Sequence, residues 1–574
     1  MERGSFSLLC GRSGCGKSTL LRLIKRELAP YGEKSGAIFY CGAALEALEP
    51  RISAGEIGFV AQNPEEQIVT DKVWHELAFG LENLGVEQLD IRRRVGEMAS
   101  YFGIQDWYHR DTDALSGGQK QLLNLAAVMA MQPKLLLLDE PTGQLDPIAA
   151  ADFIATLQRL NRELGLTIVL AEHRLEEVFP IADQVIVMDG GKLLYVAPPR
   201  AAAAALKGHP LEQGLPSACR IWSGLGAPPP CPLTVREGRE FLEAGYRCRK
   251  GAQVQPAERE PGPPVLEAEH VWFRYERQSA DVLRDMSLSV RRGEIFSILG
   301  GNGTGKTTTL GVLAGLDRPY RGKVLVSGRK ISDYRGPSLY RRRLALLPQN
   351  PKTVFLKPTV GEDLEEMLQA MDVPRSDWAG RMEALVLRLG IGDFLDRHPY
   401  DLSGGEQQKC ALCKLLCTEP ELLLLDEPTK GLDAFYKSQF AKLLLELKDQ
   451  GKTILLVTHD VEFAAEVSDR CALFFDGQII SQGEPNRFFA ANNFYTTAAS
   501  RISRTLFPNA VFVPGRGSSV QRRAGMKKYL AAGLIVLAIP GVLILGATVF
   551  QDKQYAWISL AVAVLACVPF FAVL

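Results

Sequence analysis

The sequence predicts two α/β domains of one kind in tandem, followed by a pair of apolar helices. Three observations carry that reading. Six short motifs occur twice in the same order, and their offset barely changes along the chain. Lys17 and Lys306 are 289 positions apart, and His173 and His459 are 286 apart. Between them, Gln62 and Gln349, Ser116 and Ser403, Asp139 and Asp426, and Asp146 and Asp433 are each separated by 287. A period this long means a duplicated domain rather than a solenoid of small repeats. Each copy also runs from an apolar strand into a glycine-rich loop and then a helix. Finally, Tyr529–Phe550 and Tyr555–Leu574 carry no charge over 22 and 20 residues.

The 574 residues give room for about three or four domains. A hydrophobic content of 46% with 23% charged residues describes a globular chain with large cores. Acidic and basic residues balance at 66 each, so the basic excess typical of nucleic-acid binders is missing and no nucleic-acid partner is expected. The eleven cysteines follow no disulfide framework and no secretory signal precedes them, which fits reduced, buried thiols. Cys410, Cys413 and Cys417 share one helical stripe, better explained by a buried face than by a metal site.

The first domain is expected over residues 1–215. Leu8–Gly11 leads into the loop, a helix follows from Lys17, and Leu135–Leu138 and Thr167–Leu170 have the unbroken apolar character of buried parallel strands. Residues 216–264 are rich in Pro and Ala and are expected to form a linker with one small helix near Val235–Glu243. The second domain spans 265–495. A basic linker over 496–525 leads to two transmembrane helices over 526–574, each near the roughly 20 apolar residues that cross a bilayer. Arg522, Arg523, Lys527 and Lys528 place the start of that hairpin on the cytoplasmic side. Both ends are expected to be cut: the first copy has ten residues ahead of its loop and the second about thirty-five of its own, and the chain stops inside an apolar run.

The loops Gly11-Arg-Ser-Gly14-Cys-Gly16-Lys17-Ser18-Thr19 and Gly300-Gly-Asn302-Gly303-Thr-Gly305-Lys306-Thr307-Thr308 fit G-x-x-x-x-G-K-[ST]. Their glycines let successive N–H groups turn towards phosphate oxygens, and the following helix adds its positive end. Lys17 and Lys306 would reach the β- and γ-phosphates, with Ser18 and Thr307 on Mg²⁺. The two LLLLDE runs set Asp139 and Asp426 as magnesium ligands, and Glu140 and Glu427 to polarise an attacking water. Ser116-Gly117-Gly118-Gln119 and Ser403-Gly404-Gly405-Glu406 start helices with exposed N–H groups and a hydroxyl, a second phosphate-binding set.

Phosphate loop, glutamine, LSGGQ, LLLLDE, aspartate and histidine in this order resemble the ATP-binding cassette (ABC) family, over about residues 1–195 and 265–495. The resemblance implies two P-loop NTPase domains paired head to tail with two ATPs between them. Lys17, Ser18, Gln62, Glu140 and His173 would then share one site with Ser403 and Gly405. Lys306, Thr307, Gln349, Glu427 and His459 would share the other with Ser116 and Gly118. Asp146 and Asp433 complete the set, and Gln62 and Gln349 join the magnesium ligands. Glu406 departs from the usual glutamine without removing the motif. Tyr275 matches the adenine-stacking aromatic, which the first copy lacks with its early strands.

Ala61-Gln-Asn-Pro-Glu-Glu-Gln67 followed by Glu76-Leu-Ala-Phe-Gly-Leu-Glu-Asn83 is similar to the ATPases of energy-coupling factor (ECF) importers, and Glu172-His-Arg-Leu-Glu176 to their fused double forms. That resemblance implies a transmembrane scaffold (T) component, a substrate-binding S component whose opening the tail would be, and work at the cytoplasmic membrane taking up a vitamin or metal ion. A bare anchor is the other reading of the tail. The rival functions are an exporter ATPase and a soluble tandem cassette acting on ribosomes or DNA.

Overall fold

A computed structural model describes residues 1–248, 262–493, 495–506 and 520–522. The expected transmembrane hairpin therefore lies outside the described residues. Among the described residues, no helix is long and apolar enough to cross a membrane.

The duplication is visible as two six-stranded sheets of identical order. The first runs Ile57–Val60, Leu135–Asp139, Thr167–Ala171, Phe6–Gly11, Gln184–Asp189, Lys192–Ala197. The second runs Leu344–Leu347, Leu422–Asp426, Thr453–Thr458, Ile295–Leu299, Arg470–Phe475, Gln478–Gly483. Five strands of each are parallel and the last is antiparallel. Every residue of Phe6–Gly11 and of Ile295–Leu299 is buried, as a central strand covered on both faces requires. The phosphate loop leaves the C-terminal end of that central strand in both halves, so the chemistry collects along one edge of each sheet.

The two cassettes differ in one layer. In the second, Leu283–Arg291, Pro264–Phe273, Arg321–Val326 and Arg329–Lys330 form an antiparallel sheet that closes an apolar core with the six-stranded sheet. The described residues of the first contain only the short hairpin Phe39–Tyr40 with Ala43–Ala44. Its last strand accordingly leaves Leu193, Leu194, Tyr195 and Val196 exposed.

The stretches expected as linkers hold packed structure. Ser217–Gly224 is a helix with Ala218, Cys219 and Trp222 buried, and Ala498–Ser503 is another with Ala498, Ala499 and Ile502 buried. Gly238 sits against both, since a Cβ there would meet Ala218 Cβ at 3.0 Å and Ile502 Cγ2 at 3.2 Å. Each helix start is held by a carboxylate from a cassette: Glu176 accepts from Ser217 N at 2.8 Å, and Glu462 accepts from Ala498 N at 2.6 Å. Composition hid these helices because they are short, of eight and six residues. Residues 1–239 and 254–517 form one unit. The other, of 240–253 and 518–574, shows the strands Tyr246–Cys248 and Val520–Arg522 paired antiparallel.

Candidate functional site

Both phosphate loops are shaped by glycine. Gly16 and Gly305 cap the helices Lys17–Ile24 and Lys306–Ala314 at φ of 96° and 103°, a left-handed backbone that other residues adopt only under strain. Gly11 and Gly300 are fixed by space instead. A Cβ would meet Met188 O at 2.2 Å in the first case and Phe474 O at 2.7 Å in the second. Gly14 and Gly303 are exposed and left-handed, and Asn302 and Thr307 are exposed beside them.

The lysines turn back into their loops. Lys17 Nζ donates to the carbonyls of Gly11 and Arg12 at 3.1 Å each and lies 3.5 Å from Glu140 Oε1. Lys306 Nζ donates to Gly300 and Gly301 at 2.9 and 2.8 Å and lies 3.8 Å from Glu427 Oε1. Burial lowers the Lys306 pKa, partly offset by Glu427 and Asp426.

Each glutamate meets the histidine expected of it. His173 Nε2 is 2.7 Å from Glu140 Oε1, and His459 Nδ1 is 2.8 Å from Glu427 Oε2. The two imidazoles thus present different nitrogens. Burial pushes both carboxyls up, but the histidine bonds and the lysine charges outweigh it and hold them below the usual range. Both are therefore ionised at neutral pH. Both also sit in the left-handed region, at φ 46° and 47°, a conformation costing about 1–3 kcal/mol. Gln62 Nε2 donates to Glu140 Oε2 at 3.0 Å, leaving its carbonyl oxygen as an acceptor. Gln349 is exposed and makes no such bond to Glu427.

The neighbouring aspartates have an environment suited to a cation. Ser18 Oγ donates to Asp139 Oδ1 at 2.9 Å, and burial raises the Asp139 pKa. Burial raises Asp426 to about 6 although Thr307 bonds to it, and its Oδ1 is buried without a partner. An ion with a preference for oxygen would relieve both, so these residues fit Mg²⁺.

The LSGG serines are exposed N-caps of their own helices. Gln119 Oε1 accepts from Ser116 N at 3.0 Å, and Glu406 Oε2 accepts from Ser403 N at 2.8 Å. Glutamate thus fills the capping role of glutamine in the second motif, because only an acceptor oxygen is needed there. Gly117, Gly118, Gly404 and Gly405 open these two helices. The reach between cassettes is made elsewhere. Asp433 Oδ2 accepts from Ser13 N in the first phosphate loop at 2.6 Å, and the Arg12 guanidinium lies 4.3 Å from the Phe435 ring. Asp146, which caps its helix through Ala149 N, is close enough to Lys306 for its charge to raise that lysine's pKa. Arg174 Nη2 is 2.7 Å from His459 Nε2. Sequence reasoning did not find Arg12, Ser13 or Arg174, since no motif signals a contact between residues 285 to 423 positions apart.

Tyr275 is 65% exposed, packs edge-on to Phe273, and bonds through its hydroxyl to Thr308 Oγ1 at 2.8 Å. It stands beside the second phosphate loop rather than in a strand core. Thr19, the counterpart of Thr308, is exposed. Cys410, Cys413 and Cys417 are buried in the apolar core of the second cassette.

Two loops beside the sites carry exposed apolar tips. Val69 is 66% exposed, and the loop behind it is tied to buried Glu76, which accepts from Val69 N, Thr70 N and Thr70 Oγ1 at 2.8–3.1 Å. At the matching position Leu356 is 73% exposed, and its N–H donates to buried Asp363 at 3.0 Å.

A family model described as ABC transporter matches residues 1–143 and 283–430. The chain belongs to the ABC transporter ATPases. An ABC transporter ATP-binding protein of Bacillus thuringiensis subsp. konkukian is 43% identical over 519 residues, covering 89% of this chain and 92% of the relative. One from Methanosarcina mazei is 34% identical over 513 residues, covering 85% of each. In fold, the chain resembles an archaeal ribosome recycling factor, aABCE1, solved with the ribosomal stalk protein aP1. That likeness has a TM-score of 0.55 at 22% identity over 85% of this chain and 88% of the other, and concerns the fold alone. Family membership makes this ABC ATPase an ATP-binding and ATP-hydrolysing subunit of a transporter, working with membrane components.

Proposed function

We propose that this ATPase drives an ECF-type importer, coupling ATP hydrolysis to uptake of a vitamin, metal ion or related micronutrient at the cytoplasmic membrane. Its partners are a T scaffold and an S component. The observation that carries the reading is the matched pair of loops after Gln62 and Gln349. Each holds out an apolar tip, Val69 or Leu356, and each is tied from behind by a buried carboxylate. That arrangement suits a scaffold helix docking on each cassette beside its ATP site, and it joins the Ala61–Gln67 and Glu76–Asn83 sequences of ECF type.

In this reading ATP lies along each phosphate loop, with Lys17 or Lys306 on its terminal phosphates. Magnesium would be held by Ser18, Asp139 and Gln62, or by Thr307, Asp426 and Gln349, and would supply charge neutralisation at the phosphates. Glu140 and Glu427, ionised and oriented by His173 and His459, position the attacking water, and their contribution is placement and electrostatics more than strong base chemistry. Ser116 and Ser403 close on the opposite nucleotide when the halves come together, and hydrolysis lets them part, moving the scaffold between two states.

Val69→Glu with Leu356→Glu tests the docking surface. Expressed with a candidate T scaffold protein, the variant should lose uptake and co-purification with the scaffold, while ATPase activity of the isolated chain persists. Unchanged co-purification would refute the proposed docking.

A further inference from the structure

Residues 172–174 and 458–460 occupy equivalent places after the same strand, but they differ on both sides of the shared histidine. The first cassette reads Glu172-His173-Arg174, the second Thr458-His459-Asp460. Glu172 is buried and fixes the turn, accepting from Thr142 N at 3.0 Å, from the Thr142 hydroxyl, and from His173 N and Arg174 N at 2.9 and 3.3 Å. Arg174 leaves this braced turn and forks. Its Nη1 donates to Leu145 O, one residue before Asp146, at 2.9 Å, and its Nη2 meets His459 Nε2 in the other cassette at 2.7 Å.

An arginine can only donate, so His459 Nε2 must accept and carries no proton. The ring proton then resides on Nδ1, which lies 2.8 Å from Glu427 Oε2 without being aligned as a hydrogen bond to it. The contact thus selects the tautomer whose N–H faces the glutamate. Asp433 of the second cassette does reach the first phosphate loop through Ser13 N, but among the described residues no counterpart of the Arg174–histidine contact runs the other way. Asp460, the counterpart of Arg174, is engaged within its own cassette, accepting from Lys437 Nζ at 2.5 Å and from Phe463 N at 3.1 Å. His173 turns Nε2 to Glu140, and its other neighbour there is Lys17 of its own cassette, at 3.3 Å.

We propose that Arg174 is a positioning residue through which the first cassette sets hydrolysis at the second site, holding the His459 Nδ1–H towards Glu427, a contact that Asp460 at the matching position does not return. The two sites are therefore unequal: the second depends on where the first cassette holds its 172–174 turn. The inference rests on Glu427 and His459 serving the second site, as in the functional reading above.

The test uses the full chain with one site silenced at a time. In a Glu140→Gln background, where turnover comes from the second site, Arg174→Ala should lower kcat about tenfold or more, as expected for losing a charge-assisted hydrogen bond, and leave the KM for ATP unchanged. In a Glu427→Gln background the same substitution should change kcat less than twofold. Nitrogen NMR of ¹⁵N-histidine-labelled protein gives a readout independent of turnover. His459, assigned by its loss in His459→Gln, should be the Nδ1–H tautomer and should lose that preference in Arg174→Ala. Equal loss of kcat in both backgrounds, or an unchanged His459 tautomer, would overturn the proposal. Should Glu427→Gln alone leave turnover intact, the site assignment falls instead, while the tautomer still reports on Arg174.

Discussion

Removing the ammonium of Lys414 should destabilise the second cassette more than almost any other single change. Asp363 is fully buried, and Lys414 Nζ lies 2.6 Å from its Oδ1. The remaining partner is Leu356 N at 3.0 Å, and Oδ2 has none. Lys414→Met therefore strands a carboxylate in the core and also frees the carbonyl of Val354, which Lys414 holds at 2.8 Å. Breaking a buried pair from one side costs about 3–5 kcal/mol. At about 2–4 °C per kcal/mol for a domain this large, the melting transition should fall by roughly 6–20 °C. Adding Asp363→Leu should recover most of the loss, because apolar residues can replace both charges at little cost. Differential scanning calorimetry of the two variants decides it. A fall below about 3 °C for the single variant, or no recovery in the double, would refute this account of the pair. The first cassette supplies the contrast, since Ala127 stands where Lys414 does and Glu76 is held by loop donors alone. Glu76→Gln keeps an acceptor there and should cost only about 1–2 kcal/mol.

Other consequences can be checked together. Glu140→Gln with Glu427→Gln should lower steady-state ATPase activity by about 10²–10⁴-fold, while equilibrium dialysis still detects ATP binding. Ser18→Ala removes the hydroxyl bonded to Asp139 and should raise the magnesium concentration needed for half-maximal activity, read by titrating the metal at fixed ATP. Glu462 is pushed up to about 7 from its ordinary 4.5, first by burial and then by the nearby Glu176 and Asp460, against the bond from Ala498 N and the charge of Arg220. A carboxyl raised in the fold stabilises it fully below about pH 4.5 and loses that contribution as pH rises through 7. Up to about 3 kcal/mol should disappear across that window, and Glu462→Gln should flatten the slope in denaturant titrations.

How much the chain reveals of itself depends on whether a signal is local. The phosphate loops, the LLLLDE strands and the partnered histidines are local, because spacing within one strand–loop–helix unit fixes them. Glu140 and His173 follow the ends of adjacent strands, and Ser18 and Asp139 meet because the helix after the phosphate loop packs at the same end of the sheet. The helices at Ser217–Gly224 and Ala498–Ser503 are not local in this sense. Each is too short for periodicity to show, and each is stabilised by a carboxylate some 36–41 residues away. The asymmetry of Gln62 and Gln349 also escapes the sequence, since both carry the same side chain at the same place in the motif. Arg174 is the sharpest case: in the sequence it is an ordinary basic residue after a histidine, and only distance gives it meaning.

Joining the halves in one polypeptide changes what selection and dilution can do. A tether keeps the partner half at an effective concentration in the millimolar range, so turnover should not fall when the protein is diluted, as it would for two separate subunits. It also lets one gene write different letters into mirrored positions, arginine in one half and aspartate in the other. Two identical copies could never hold that difference, and a directional engine can be built on it.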